Sequence, residues 1–163
     1  MNARRILAGV SGSPGGVHAL RQAAELAHHH DALLIPLLAW LPPASGKHPW
    51  PELRQLWHDD AWQRLWDTLD AAFGGLPAGS ATQPAVLRGN PGKVLTGVAR
   101  QDGDVLVIGA GRRGPLRRIW GGRISRYCLA HACCPVLAIP VPPRPSKQAM
   151  ARAAGRSGIA GSR

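Results

Sequence analysis

Five short apolar runs alternate with helix-like segments along the first 140 residues, and this alternation constrains the fold more than any other feature. Most of the runs are apolar at successive positions, which is typical of strands buried between two layers of helices. The predicted strands are 4–10, 32–40, 84–89, 104–109 and 136–140. Strands that alternate with helices favour right-handed crossovers and a mainly parallel sheet. We therefore expect one open, doubly wound α/β domain.

The predicted helices lie between these strands. The first begins within "SGSPGG" at 11–16, because Ser13 can cap it and Pro14 suits its first position. It ends near the histidines at 28–30. The others lie at about 52–73, 90–101 and 122–132. In the second predicted strand, Pro36 is tolerated only near a bulge or an edge.

The second predicted helix is rich in tryptophan. Helical spacing separates the tryptophans that lie on its apolar face from those that do not. Trp57 and Trp66 share one apolar stripe with Leu53 and Leu69. Such a stripe can be a partner surface or a ligand wall, but it is more often core, so we predict that Trp57 and Trp66 are buried. Trp62 lies off the stripe and is predicted to be the better candidate for exposed contacts.

The net charge of +11 is concentrated in the second part of the chain. Residues 1–104 contain nine basic and nine acidic side chains, whereas no Asp or Glu follows Asp104. Six arginines lie within "GAGRRGPLRRIWGGRISR" at 109–126. Glycines at both ends and the absence of acids favour anion binding here over a merely solvated loop. The anion can be the phosphates of a small nucleotide or a larger polyanion.

Composition also divides the chain into a domain and a tail, and it indicates the cellular location of the protein. Residues 141–163 are rich in Pro, Gly, Ala and Ser, so we predict a domain at 1–140 followed by a disordered basic tail. Three cysteines cannot form a disulfide framework, no secretory signal is visible, and the longest apolar run is too short to cross a membrane. These features indicate a cytoplasmic location.

Topology predicts where a ligand would bind. In open parallel sheets, ligands bind outside the carboxyl ends of the strands, where the strand order reverses. The candidate loops follow the first and fourth predicted strands, from Gly9 to Gly16 and from Gly109 to Gly122.

Several segments over about residues 4–140 resemble the universal stress protein family, in the right order. "ILAGVSGSPGGVHALRQAAELA" is similar to the family's "ILVGVDGS" opening and first helix, and "RGNPGKVL" to its Gly-x-Pro segment. "DVLVIGAG" and "GRISRYCLAHACCPVLAIP" resemble its fourth strand and its closing helix and strand. The resemblance implies a Rossmann-like fold, a stress-response regulatory or sensor role, and binding of ATP or another adenine nucleotide. It also implies a homodimer through strand 136–140.

Nucleotide-binding members of the family carry Gly-x2-Gly-x9-Gly-Ser/Thr. Here the pattern falls on Gly109, Arg112, Gly122 and Arg123, so arginines replace one glycine and the hydroxyl residue. Ser11 stands where ATP-binding relatives usually have an aspartate. The resemblance implies that the nucleotide contacts are Gly9, Val10, Ser11, Ile108, Gly109, Gly111, Arg112, Gly122, Arg123, Ile124 and Ser125.

Arg112 and Arg123 leave open whether the site binds a nucleotide. A guanidinium can bind phosphate through two charge-assisted hydrogen bonds, but Arg112 restricts the backbone, and Arg123 can instead fill the pocket. We predict weak binding of ATP or another adenine nucleotide. The alternative is a family member that does not bind nucleotides and uses the arginine-rich loop and the tail to bind a polyanion, such as nucleic acid, or an acidic protein partner.

No catalytic or metal-binding pattern is visible in the sequence. It has no nucleophile elbow and no Walker lysine. The histidines at 28–30 and the three cysteines lack the spacing of a structural zinc site. Four aspartates fall on the polar side of the second predicted helix: Asp59, Asp60, Asp67 and Asp70. We predict a protein that is not an enzyme, with slow ATP hydrolysis at most, and a site that requires no metal.

Overall fold

The computed structural model describes residues 3–42, 51–110 and 123–140. Strands and helices alternate as the sequence predicts, with ends shifted by a few residues. In chain order the elements are β1 (Arg5–Val10), α1 (Pro14–His30), β2 (Leu33–Trp40), α2 (Pro51–Phe73), β3 (Ala85–Arg88), α3 (Pro91–Val98), β4 (Asp104–Ala110), α4 (Arg123–His131) and β5 (Val136–Pro140). Most of the arginine-rich loop and the predicted tail lie outside the described residues.

The five strands form one parallel sheet in the order β3-β2-β1-β4-β5. The chain first moves outward from β1 through β2 to β3. It then returns to place β4 on the other side of β1, with Gly9 opposite Ile108. The predicted doubly wound α/β fold is confirmed, and the strand order reverses between β1 and β4.

Helices cover both faces of the sheet, which explains why the central strands are apolar at successive positions. Ile6 of β1 packs in a core with Leu20 of α1 and Leu65 of α2. Leu7, the next residue of β1, packs in a second core with Leu95 of α3. Successive side chains of a strand point to opposite faces, so both must be apolar when both faces are covered.

Pro36 lies inside β2, opposite Ala8 of β1, and hydrogen bonding explains why it is tolerated. Leu34, two residues earlier, bonds through its N–H and C=O to the segment that precedes β3. The backbone of Pro36 faces the same way, because alternate residues of a strand share a direction. Pairing with β3 begins only at Leu37. The missing N–H of Pro36 therefore faces a position just before β3 begins.

The prediction for the tryptophans of α2 is confirmed for Trp57 and was wrong for Trp66 and Trp62. Trp66 is 43% exposed, whereas Trp62 packs against the core, as does Trp57. The imidazole of His58 lies between two indoles, with ring centroids 6.3 Å from Trp40 and 6.4 Å from Trp62. His58 contacts Trp40 at the end of β2. This contact places the side of α2 that carries Trp62 toward the sheet. Helical spacing alone does not indicate this contact.

A buried ion pair joins the amino ends of the two central strands. The fully buried carboxylate of Asp104 accepts hydrogen bonds of 2.7 Å from both Nε and Nη2 of Arg5, and one of 2.9 Å from the N–H of Gln101. Burial alone would raise the pKa of Asp104. The hydrogen bonds from Arg5 and from the backbone outweigh burial, so the pKa lies below its ordinary value.

Candidate functional site

The candidate site lies at the carboxyl ends of β1 and β4. After β1 the chain turns through Ser11, Gly12 and Ser13 into α1, while α4 begins at Arg123 beyond β4. Helix starts carry unpaired N–H groups and the positive end of the helix dipole. Neither helix has an acidic residue in its first turn. The two helix starts together therefore favour an anion.

The start of α1 confirms the predicted cap. The Oγ of Ser13 accepts a hydrogen bond of 3.2 Å from the N–H of Gly16, and Pro14 occupies the first helical turn. The hydroxyls of Ser11 and Ser13 are 2.9 Å apart, and both residues are exposed. Gly12 adopts a φ of +63°, which favours glycine. Two adjacent hydroxyls therefore lie at the entrance to the site.

Packing within the protein requires glycine at residue 109 and leaves little room for a side chain at Gly9. A Cβ on Gly109 would lie 2.9 Å from the carbonyl oxygen of Gly15, in the first turn of α1. A Cβ on Gly9 would lie 3.1 Å from Cδ1 of Leu95. Atoms of the protein thus fill the space where a side chain would begin. Gly9 and Gly109, which the resemblance implies as nucleotide contacts, have only backbone groups to offer a ligand.

Ser125 fixes the start of α4 to the end of β4. Its Oγ donates a hydrogen bond of 3.1 Å to the carbonyl oxygen of Gly109, and the residue is 9% exposed. Ile124 packs against the core on the α3 side of the sheet. Arg123 is exposed. At this helix start, Arg123 is therefore the side chain best placed to meet an anion, while Ser125 positions the helix.

The structure brings most of the expected site residues to one edge of the sheet. The expected residues that it describes are Gly9, Val10, Ser11, Ile108, Gly109, Arg123, Ile124 and Ser125. Gly111, Arg112 and Gly122 lie outside the described residues. Val10 and Ile108 are buried in the two cores. Sequence reasoning treated Ser13 only as a cap. Its place two residues after Ser11 was the signal that the two hydroxyls can meet.

The indole N–H of Trp40 is a polar group near this edge that sequence reasoning did not single out. Trp40 ends β2, beside β1, and is 6% exposed. Its indole Nε1 is buried and has no hydrogen-bond partner among residues 3–42, 51–110 and 123–140. A buried N–H without an acceptor costs about 1–3 kcal/mol. Trp40 therefore adds an unused donor close to the carboxyl ends of the strands.

His28 and Cys128 serve the fold in the part of the chain that the structure describes. Within that part, no cluster of three or more His, Cys, Asp or Glu side chains could hold a metal ion. The Nδ1 of His28 lies 2.9 Å from the carbonyl oxygen of Gly79. Cys128 is buried, and burial raises the pKa of its thiol. None of the described helices has the length and hydrophobicity that a bilayer crossing requires.

Comparisons with known proteins agree on one family. The model of the universal stress protein family matches residues 2–140. Among curated proteins, universal stress protein Slr1101 of Synechocystis is 29% identical over an alignment of 93 residues, and the match covers 51% of this chain and 86% of that protein.

Solved structures share the fold at low sequence identity. A universal stress protein in complex with cAMP aligns with a TM-score of 0.57 and 19% identity, over 86% of this chain and 98% of that one. The universal stress protein of Archaeoglobus fulgidus in complex with dAMP aligns with a TM-score of 0.55 and 19% identity, over 85% of this chain and 99% of that one. Both are therefore similar to this chain in fold.

Proposed function

Because the chain belongs to the universal stress protein family, we propose that it is a regulatory module that binds an adenine nucleotide at the carboxyl ends of β1 and β4. One observation carries the proposal: two helix starts without acidic residues flank the point where the strand order reverses, and Arg123 is exposed there. The relatives solved with cAMP and dAMP support an adenine nucleotide as the class of ligand.

The donors at this edge fit a phosphorylated ligand. The first turns of α1 and α4 would supply backbone N–H groups to phosphate oxygens, and Arg123 would add charge-assisted hydrogen bonds. The hydroxyls of Ser11 and Ser13, 2.9 Å apart, would bind ribose or phosphate oxygens. We propose weak binding. We also propose Arg112, which stands where the family pattern has glycine, as a second phosphate contact.

The proposed role is binding rather than turnover. Neither residues 1–24 nor residues 105–163 contain an Asp or Glu, so no carboxylate on these segments is available as a general base. ATP hydrolysis would be slow at most. We further propose that residues 1–140 form the binding domain, that 141–163 are a basic tail, and that the protein acts in the cytoplasm.

Arg123→Gln tests the proposal directly. The expected result is about tenfold weaker ATP binding, because a hydrogen bond to a charged group contributes about 1.5–3 kcal/mol. Isothermal titration calorimetry measures the affinity. Arg100→Gln is the matched control. Arg100 is also exposed, but it precedes β4 and so lies toward the opposite end of the sheet, and its replacement should change the affinity less than about twofold.

Two other results of the same titrations are informative. Tighter binding by Arg123→Gln would mean that Arg123 occupies the place of the phosphates. If the unaltered protein gives no heat and no thermal stabilisation at millimolar ATP, the nucleotide proposal is wrong, while the fold stands.

We also propose a homodimer through β5. Among the described strands, β5 pairs with β4 alone, so its outer edge has no strand partner there, and Leu137 is 41% exposed. Leu137→Lys should convert a dimer into a monomer in size-exclusion chromatography with light scattering. Leu87→Lys is the matched control, because Leu87 is also 41% exposed but lies on the opposite edge strand, β3. Equal masses for both variants would contradict the proposal.

A polyanion or an acidic protein partner is a second candidate. The observation that favours it is the charge of the face covered by α3 and α4, since neither helix contains an acidic residue. Lys93, Arg123 and Arg126 are exposed on these helices. Retention on DNA or RNA that weakens steeply with salt, without any ATP binding, would favour this candidate over the nucleotide.

A further inference from the structure

We propose that the acidic outer face of α2 is a docking surface for the basic tail, residues 141–163, of the same chain. The aspartates of this face, the exposed indole of Trp66 and the length of the tail support the docking. It does not require nucleotide binding. A tail held on α2 would be withdrawn from any polyanion, so the docking would restrain the second candidate function.

Negative charge is concentrated on one side of α2. The helix contains five of the nine acidic residues of the chain. Four of them recur at helical spacing opposite the buried Ala61, Leu65 and Leu69, together with an exposed glutamine and an exposed tryptophan. The residues of this outer face are Asp59, Asp60, Gln63, Trp66, Asp67 and Asp70.

Three of the four aspartates of the outer face have no Lys or Arg partner among the described residues. They are Asp59, Asp67 and Asp70. Asp59 and Asp67 instead accept hydrogen bonds of 2.8 Å from uncharged glutamine amides. The fourth aspartate, Asp60, forms an ion pair of 3.0 Å with Arg64. One arginine therefore faces four aspartates, and the outer face keeps an excess of negative charge that a basic segment can neutralise.

Trp66 lies exposed among these carboxylates. The residue is 43% exposed. Asp70 lies four residues later, on the next turn of the helix, and Asp67 is the next residue in the sequence. A guanidinium or ammonium group stacks on an indole and can pair at the same time with a carboxylate beside it. An exposed indole flanked by carboxylates is therefore suited to arginine and lysine side chains rather than to an apolar partner.

The basic tail has the charge that this face lacks. It contains no acidic residue, and its basic residues are Arg144, Lys147, Arg152, Arg156 and Arg163. The other basic segment, 111–122, is held at one end by β4 and at the other by α4. α4 packs in the core on the α3 side of the sheet, whereas α2 packs on the α1 side. The tail is not held on that opposite side, so it is the better occupant.

The tail is also long enough to reach the outer face. It begins after Pro140, at the carboxyl end of β5, and α2 packs over β2 and β3, roughly 14–19 Å away across the sheet. His58 lies at the carboxyl end of β2, and Trp66 is about 12 Å further along α2. With a helix layer of about 10 Å, the path is about 40 Å long. An extended chain spans up to about 40 Å at Arg152 and about 53 Å at Arg156.

Trypsin digestion of the full chain at low salt measures the docking, because trypsin cleaves after arginine and a docked arginine is protected. Asp67→Asn combined with Asp70→Asn should speed cleavage after Arg152 and Arg156 about fivefold, since each exposed ion pair changes an equilibrium by a factor of about 1.5 to 5. Mass spectrometry of the intact chain measures the rates. At about 0.5 M salt the rates should converge, because salt screens exposed pairs. Equal rates at low salt would overturn the proposal.

Glu25→Gln combined with Asp102→Asn is the matched control, because it removes the same charge from two exposed residues outside α2. Its cleavage rates should stay within about 1.5-fold of those of the unaltered protein. Equal acceleration by both pairs of substitutions would reflect net charge rather than docking and would overturn the proposal. Trp66→Gln should speed cleavage about twofold through loss of the indole contact. Thermal unfolding checks that all three variants fold.

Cross-linking identifies the occupant of the outer face. Arg152→Lys keeps the charge and supplies an amine, which a carbodiimide joins to a carboxylate only where the two are in contact. The expected product is a link from residue 152 to an aspartate of the outer face within one chain, identified by mass spectrometry. Mixing unlabelled protein with protein labelled with heavy nitrogen separates links within a chain from links between chains. Links only to a second copy, or only to carboxylates outside α2, would overturn the proposal.

Discussion

Replacing Asp104 with alanine is expected to lower the free energy of unfolding by about 3–5 kcal/mol, a large part of the stability of a domain of this size. The change leaves the guanidinium of Arg5, whose side chain is 20% exposed, without the carboxylate that it bonds through Nε and Nη2. It also removes the acceptor of the Gln101 N–H. Urea unfolding measures the loss as a lower midpoint with an unchanged slope.

The control for this variant is Asp102→Ala. Asp102 lies two residues away and is exposed, so its replacement should change stability by less than about 0.5 kcal/mol. Equal effects of the two substitutions would show that the buried pair contributes nothing specific.

The ion pair of Arg5 and Asp104 predicts that the stability of the fold depends on pH. The pKa of Asp104 is lower in the folded protein than in the unfolded chain, so the pair stabilises the fold above the ordinary aspartate pKa of about 3.9. This contribution is lost as the pH falls through the folded pKa. The unaltered protein should therefore lose stability in acid more steeply than Asp104→Ala, and parallel pH profiles would contradict the assignment.

Alanine at Gly109 is expected to destabilise the protein by about 2–3 kcal/mol and to abolish ATP binding. The added Cβ would lie 2.9 Å and 3.1 Å from the carbonyl oxygen and carbon of Gly15. Both are backbone atoms, so the first turn of α1 must move away from β4. That movement displaces one helix start of the site relative to the other, because Ser125 ties α4 to Gly109. Thermal unfolding and titration with ATP measure the two effects.

Gly97→Ala is the matched glycine substitution. Gly97 lies in α3, and apart from its chain neighbours and the backbone of its own helix, no atom of the described residues lies within 4 Å of its Cβ position. Alanine is the better helix former, so this variant should be more stable by about 0.5–1 kcal/mol and bind ATP normally. If Gly109→Ala keeps both stability and binding, the close approach of β4 and α1 is not what shapes the site.

The fold could be predicted because its signals are local. Each strand is a short apolar run, and Ser13 and Pro14 mark the start of α1 through their own chemistry. The position of the site followed from topology, since the loops after β1 and β4 must meet where the strand order reverses.

Contacts between distant segments were harder to predict. Trp62 lies beside His58, which also contacts Trp40 of β2, and the tolerance of Pro36 depends on where β3 begins. The ion pair joins residues 99 positions apart. Its one sequence signal was a charged residue at the start of each central apolar run, and the sequence does not show that these two side chains bond to each other.

At the candidate site, the sequence predicted which residues lie together at one edge of the sheet better than what each of them does. The position of Ser125 followed from the spacing after Gly109, but its hydrogen bond to the Gly109 carbonyl is visible only in the structure. The same holds for Gly109, where the neighbour that requires glycine is Gly15, far away in the chain.

The neighbours of β1 have a consequence for synthesis of the protein. β2 and β3, the strands on one side of β1, are made soon after it, but β4 on the other side is complete only at Ala110. While the ribosome adds the intervening residues, one edge of β1 remains open in the nascent chain. Open apolar strand edges pair readily with other chains. Aggregation during translation is therefore most sensitive to changes that delay β4, even where they leave the finished protein stable.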